Sequence, residues 1–374
     1  MLGNTFGRVF RVTTCGESYG DALMIICDGT PAGLPLADQD IQKELDRRRP
    51  GTSPIDSPRQ ETDQVRIVSG LMDGVTTGAP VGMIIYNVDR QPIHVQQYRD
   101  AREVVRPGHA EITYFMKYGK FADWRGAGRA SGRETAGRVA GGAVAKKILA
   151  RENVEILGYV KECAGIRMRE MSFEEKKANA GKNMINCPDL EAGQQMVDRV
   201  LQIKEEGDTA GGIVEVIIRG LPCGLGEPVF DKFDADLAKA MLSIPSIKGF
   251  EIGSGFGCVT MRGSQHNDIP YLDENKRLHF RTNHAGGVLG GITNGDEVVF
   301  RIAVKPTSTI SIPQQTVNMI RLENTTLGAI TRRDPTITGR VVAVAEAMAA
   351  IVTVDHLMLS RGLDAVAKIE KLYE

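Results

Sequence analysis

The stretch VVAVAEAMAAIVTVDHLML, residues 341–359, constrains the fold more than any other. It is the most apolar long segment, yet Glu346 and Asp355 interrupt it, which argues for a buried helix and against a membrane span. Strand-like runs surround it: RVFRVTT, ALMIICDG, VRIVSGL, VGMIIYN, GGIVEVIIRGL, CVTMRGS and EVVFRIAVKP, rich in Val and Ile and bounded by Gly, Pro or Asp. They come in clusters and do not alternate strictly with helices, so the expected class is α+β, one unit over 1–374 with antiparallel sheets. Two surface helices have legible ends. PDLEAGQQMVDRVLQIKEEGDT has Pro188 at a first turn and stops before Gly207, and SFEEKKANAG opens on a capping box from Ser172 to Glu175 and closes at Gly181.

The 46 Lys+Arg balance 47 Asp+Glu, giving net charge −1, which excludes a global basic excess for nonspecific nucleic-acid binding and makes any basic site local. The six cysteines lie far apart without a C-x-x-C pair, so neither a zinc site nor a disulfide framework is expected, and reduced thiols in the cytoplasm are the economical reading. MLGNTFGRVF lacks the charged and apolar regions of a signal peptide, and a soluble chain is expected.

The chemistry gathers in loops. Alone, GESYG (16–20) is a turn. In DWRGAGRASGRETAGRVAGGAVAKKILA (123–150), Ser131 and Glu134 read as a second capping box, with a helix from near Gly132. Arg125, Arg129 and Arg133 crowd that helix start, where the macrodipole already places positive charge, so the pattern predicts an anion cradle. The same grammar recurs in LDRRRPGTSP, VVRPGHAEITY and TRRDPTITGRVVAVAEAM, where Arg47 to Arg49, Arg106 with His109, and Arg332 to Asp334 border turns. Convergent basic loops in a near-neutral chain suit a phosphate ligand. NHAGGVLGGITNG and AVKPTSTISIP look like ligand-contacting backbone, and Lys305 beside its hydroxyls would suit a flavin. Neither a Walker A loop nor a Rossmann fingerprint is present.

Taken together, GESYG…DGTPAG, GRASGRETAGRVAGGA and RRDPTITGRVVAVAEAM resemble the three signatures of the chorismate synthase family. LDRRRPGTS, RPGHAEITYFMKYG, RGSQ, NHAGGVLGGI and KPTS resemble further family segments in the same order. The resemblance implies a β-α-β sandwich, with helices between antiparallel sheets, and a homotetramer. It implies trans-1,4 elimination of phosphate from 5-enolpyruvylshikimate-3-phosphate to give chorismate, with reduced FMN. Without a Rossmann unit, reduction of FMN at the expense of NADPH is expected to fall to an external flavin reductase.

By the same resemblance Arg129, Ala130, Ser131, Pro245, Ser246, Gly290, Lys305, Pro306, Thr307, Ser308, Thr309 and Arg332 are expected at the flavin. Arg48, Arg49, Arg106 and Arg133 are expected at the substrate's anionic groups. His109 is expected to act on the reduced flavin, and Asp334, with Ser18 and Ser131 as relays, to manage the proton at flavin N5 as the substrate C6 proton leaves.

Three positions depart from the family pattern. Tyr19 stands where the family's first motif has a histidine that assists the departing phosphate. A phenol titrates near 10 against about 6.5 for imidazole, so Tyr19 can donate a hydrogen bond but is the poorer acid. Pro54 replaces a residue that is often basic, and Arg333 replaces a small or imidazole side chain, which suggests that Arg333 restores the lost charge. Two rival readings follow: a divergent flavin-binding paralogue with weak or altered activity, supported by Tyr19, and a noncatalytic anion-binding scaffold, opposed by His109, Asp334 and the Lys305 loop.

Overall fold

Glu346 and Asp355, the acids inside the apolar run, are clamps. The computed structural model, which describes residues 3–89, 95–96, 99, 102–330 and 333–364, places the run within the helix Thr338–Asp364. Its most apolar window is 94% buried inside the fold, as a core helix. Glu346 accepts hydrogen bonds from Arg47 (2.6 and 2.9 Å), Lys146 (2.6 Å) and the Gly158 amide (2.8 Å). Asp355 Oδ1 accepts the successive amides of Arg8, Val9 and Phe10 at 2.9, 2.7 and 3.0 Å. A buried carboxylate is tolerated only when so paired, and here each one ties the helix to other elements.

Two antiparallel five-stranded sheets flank the helical layer. The first runs, in spatial order, Thr5–Phe6, Arg11–Cys15, Ala22–Asp28, Val81–Tyr86 and Val65–Ser69. The second runs Ile247–Ile252, Val298–Val304, Gly212–Arg219, Glu155–Cys163 and Ile166–Arg167. Helix Thr135–Ala150 covers the first sheet and Thr338–Asp364 the second, and the two helices pack on each other. Gly142 sets their separation, because a Cβ there would stand 2.3 Å from that of Ala347. Strand alternation buries Leu23, Ile25, Cys27, Val81, Met83 and Ile85 against the helices. This is the α+β sandwich that the resemblance implied.

Some local expectations change. CVTMRGS contributes no strand: Gly255–Thr260 is a 3-10 turn, with Val259 exposed. Glu155–Cys163 and Ile247–Ile252 are strands that apolar patterning did not flag. Lys161 and Glu251 point into a polar ladder in which Glu215 accepts from Lys161 (2.6 Å) and Arg301 (3.3 Å), so their charges are internal. Ser172 caps Phe173–Asn179 with the expected reciprocal bonds to Glu175. The next helix is Leu190–Glu205 with Asp189 as its cap, which leaves Pro188 outside it. Ser131 accepts from the Arg133 amide at 3.3 Å, while the Glu134 carboxylate turns to Arg138, so no reciprocal capping box forms there.

Candidate functional site

Segments remote in the chain meet at one open cavity of about 260 Å³. The GESYG turn joins the strands Arg11–Cys15 and Ala22–Asp28 and brings Ser18 and Tyr19 to the wall. The segment after helix Asp38–Arg48 adds Arg59, and the turn before Thr135–Ala150 adds Ser131 and Arg133. Arg106 and His109, Pro245 and Ser246, Thr307 to Thr309, and Asp334 to Val344 complete the wall. Tyr19 is nearly buried between Arg59, whose Cζ is 5.5 Å from the ring centroid, and Gly126. At Gly126, φ is +55° and a Cβ would lie 2.6 Å from the ring, so only glycine seats the phenol there.

Six arginines and one carboxylate, Asp334, line the cavity among the described residues. Their bonds divide them into fixed and spare donors. Arg48 is buried and donates to Thr135 Oγ1 (3.0 Å), Asp63 Oδ2 (3.2 Å) and Gly132 O (2.7 Å). Burial pushes its pKa down to about 10, with Arg133, Arg340 and Arg59 adding to the effect against Asp63. Arg133 donates to Asn87 Oδ1 (2.8 Å) and to Asp63, yet its buried Nη2 has no hydrogen-bond partner among the described residues and lies 3.7 Å from Glu61. An unspent buried guanidinium N–H is costly unless an anion takes it.

Arg106 pairs with Glu111 (3.0 Å from Nε) and reaches Thr309 Oγ1 at 2.9 Å. His109 Nδ1 accepts the Glu111 amide at 3.3 Å. Burial, followed by the nearby Arg106 charge, pushes the His109 pKa down to about 4, so its imidazole is neutral near pH 7. Asp334 is bonded to Arg340, whose Nε lies 3.5 Å from Asp56.

The cavity gathers all five residues expected to be catalytic: Ser18, Tyr19, His109, Ser131 and Asp334. It also gathers Arg48, Arg106 and Arg133, with Ala130, Pro245, Ser246, Thr307, Ser308 and Thr309. Arg49, Arg129, Gly290, Lys305 and Pro306 are not in its lining. Arg49 pairs with Asp46 at 3.5 Å. Arg129 ties the GESYG turn to the first sheet through Gly16 O (3.2 Å) and Thr14 O (3.1 Å). Gly290 turns the Val288–Leu289/Ile292–Thr293 hairpin, and Lys305 Nζ donates to Ser308 Oγ at 2.7 Å. Arg332 lies outside the described residues.

The three-arginine cradle expected at the helix start is reduced to one member, since Arg125 pairs with Asp123 (2.9 and 3.0 Å) and Arg129 faces the sheet. Arg333, expected to restore the charge lost at positions 19 and 54, lines the cavity with its N–H groups directed to neutral acceptors. Its guanidinium donates to Lys204 O (2.5 Å), Asp208 O (2.7 Å) and Ser311 Oγ (2.7 Å), closing the end of Leu190–Glu205. Sequence reading missed Arg59 and Arg340. In PRQETD an arginine two residues from a glutamate reads as a solvated pair, and only the fold shows that Glu61 is buried.

The family model described as chorismate synthase matches residues 10–358. The chorismate synthase of Acetivibrio thermocellus is 53% identical over 98% of each chain, and that of Methanosarcina mazei is 51% identical over 96% of this chain and 97% of its own. A crystal structure of a chorismate synthase superposes with a TM-score of 0.77 at 31% identity, covering 96% of this chain and 94% of that one. Nothing in these matches supports the divergent-paralogue reading. With matched sequence, fold and signatures over nearly its whole length, the chain belongs to the chorismate synthase family.

Proposed function

We propose that this chain, as a single domain, eliminates phosphate from 5-enolpyruvylshikimate-3-phosphate to give chorismate, and that reduced FMN binds in the same arginine-lined cavity. In the trans-1,4 elimination the C–O bond to phosphate breaks, the C6 proton leaves, and a second ring double bond forms. The observation that carries the reading is the convergence on one cavity of Ser18, Tyr19, His109, Ser131, Arg133 and Asp334, supplied by all three signature segments.

The residues suit the group. Arg133 has a buried N–H to spare, Thr307 to Thr309 offer hydroxyls, and Ser246 sits at φ +71°, a backbone strain of the kind found where a ligand is gripped. Ala130, Ser131, Pro245, Ser246 and Thr307 to Thr309 would hold the flavin. When bound, reduced FMN supplies transient electron density that eases C–O cleavage. Arg48, Arg106 and Arg133 hold the phosphate and the two carboxylates, so that leaving-group charge meets fixed cations in a partly dehydrated site. Neutral His109 presents an imidazole to the flavin without adding a cation. Asp334, oriented by Arg340, would manage the proton at flavin N5 as the substrate's C6 proton leaves, with Ser18 and Ser131 as relays. Tyr19 donates a hydrogen bond to the departing phosphate.

Anaerobic turnover with chemically reduced FMN, read as phosphate release and chorismate absorbance, tests the reading; no product under those conditions would refute it. We also propose a cytoplasmic homotetramer supplied with reduced FMN by an external NADPH-dependent reductase. Support for assembly comes from the outer face of the first sheet, which exposes Met24, Ile26, Val68 and Tyr86.

A further inference from the structure

Arg59 lines the cavity with its guanidinium held at several points. Its Nη1 donates to Ser18 Oγ at 2.9 Å and its Nη2 to Ser18 O at 3.0 Å. Nε and Nη2 both reach Glu61 Oε1, at 3.0 and 2.7 Å. Glu61 is itself 4% exposed and is fixed by the Val88 amide on its other oxygen at 3.1 Å. A guanidinium held in plane by four bonds cannot swing to a passing anion, so its orientation relative to the Tyr19 ring, 5.5 Å away, is built in.

From this geometry we infer that Arg59 is a positioning residue: it locks Ser18 and the Tyr19 ring, and its cation makes the phenol a stronger hydrogen-bond donor to the departing phosphate. The inference rests on the function proposed above. It answers the weakness of a phenol in a place where relatives use imidazole, because a nearby cation favours loss of the phenolic proton. Arg59 is the cation set against the Tyr19 ring. Glu17 and Asp21 in its own turn are acidic and act in the opposite sense. Arg125 is outside the cavity lining and pairs with Asp123, and His109 is neutral near pH 7. Arg133, which lines the same cavity, bonds Asp63 and Asn87 and keeps its Nη2 for an anion, and Asp334 is bonded to Arg340.

The test reads the phenol directly. Tyrosinate absorbance is titrated in ligand-free protein, and the difference between wild type and Tyr19→Phe isolates this one group. Arg59→Gln is expected to raise the midpoint by about one pH unit, whereas Arg59→Lys, which keeps the charge, moves it much less. Glu61→Gln is expected to lower it. An unchanged midpoint in Arg59→Gln overturns the inference, as does an equal shift in the lysine variant. If Arg59→Gln loses its fold by circular dichroism, Glu61→Gln decides, and a midpoint that stays or rises is the adverse result. In turnover, Arg59→Gln should lower kcat/KM about tenfold when Tyr19 is present and far less in the Tyr19→Phe background; equal losses in both backgrounds would overturn the coupling. The titration needs neither flavin nor substrate, so failure of the proposed reaction is distinguishable from failure of the Arg59–Tyr19 link.

Discussion

His109 shows how one side chain's environment sets its chemistry. Burial and Arg106 hold its pKa at about 4, below the ordinary 6.5, so the neutral form is the one the fold prefers. The corresponding stability is complete above about pH 6.5 and is lost as pH falls towards 4, since the unfolded chain then binds the proton more tightly. NMR titration of the His109 ring should give a midpoint near 4, and a midpoint at 6 or above would remove the neutral imidazole from the mechanism. Gly126 is the second residue-scale test. Gly126→Ala meets both a left-handed backbone and the Tyr19 ring, so it should cost at least about 1–2 kcal/mol by chemical denaturation and lower kcat/KM by displacing Tyr19.

At the scale of elements, helices are tied down by charges that look out of place in the sequence. Glu346 has its pKa depressed to about 2, with Lys146 and Arg47 overcoming the cost of its burial. Its contribution is therefore present above about pH 4.5 and lost as pH falls towards 2. Glu346→Gln removes the buried acceptor shared by Lys146 and Arg47, which keep Glu44, and should destabilise by about 1–3 kcal/mol in urea unfolding at pH 7. Arg333 acts on the helix Leu190–Glu205 in a smaller way, by satisfying carbonyls at its end. Arg333→His should lower the thermal midpoint, through a loss of about 1–2 kcal/mol, while leaving kcat within about twofold. A large fall in kcat with unchanged stability would favour the charge-replacement idea.

For the whole molecule, the sandwich leaves apolar side chains on the outer face of its first sheet, where alternation would ordinarily place polar groups. Met24 is 51% and Ile26 48% exposed on one strand, and Tyr86 is 59% exposed on the next. If this face is covered by another copy in the proposed tetramer, Ile26→Lys should reduce the mass seen by light scattering. An unchanged mass would place the interface elsewhere.

Much of this protein was legible in the chain. The apolar run with two acids foretold a buried helix, clustered Val/Ile runs foretold antiparallel sheets, and the ordered motifs foretold the residues that meet at the cavity. Local patterning reads these because each element's periodicity is written in consecutive residues. The partners of charged residues were not legible. Arg125, Arg129 and Arg133 stand in one short segment, yet one pairs locally, one binds a strand and only the third keeps a donor for the cavity. Arg59 carries no signal in the sequence, and burial of its partner Glu61 makes it part of the site. Which donor remains unspent depends on burial and on acceptors tens or hundreds of residues away, and only the packed tertiary structure brings those together.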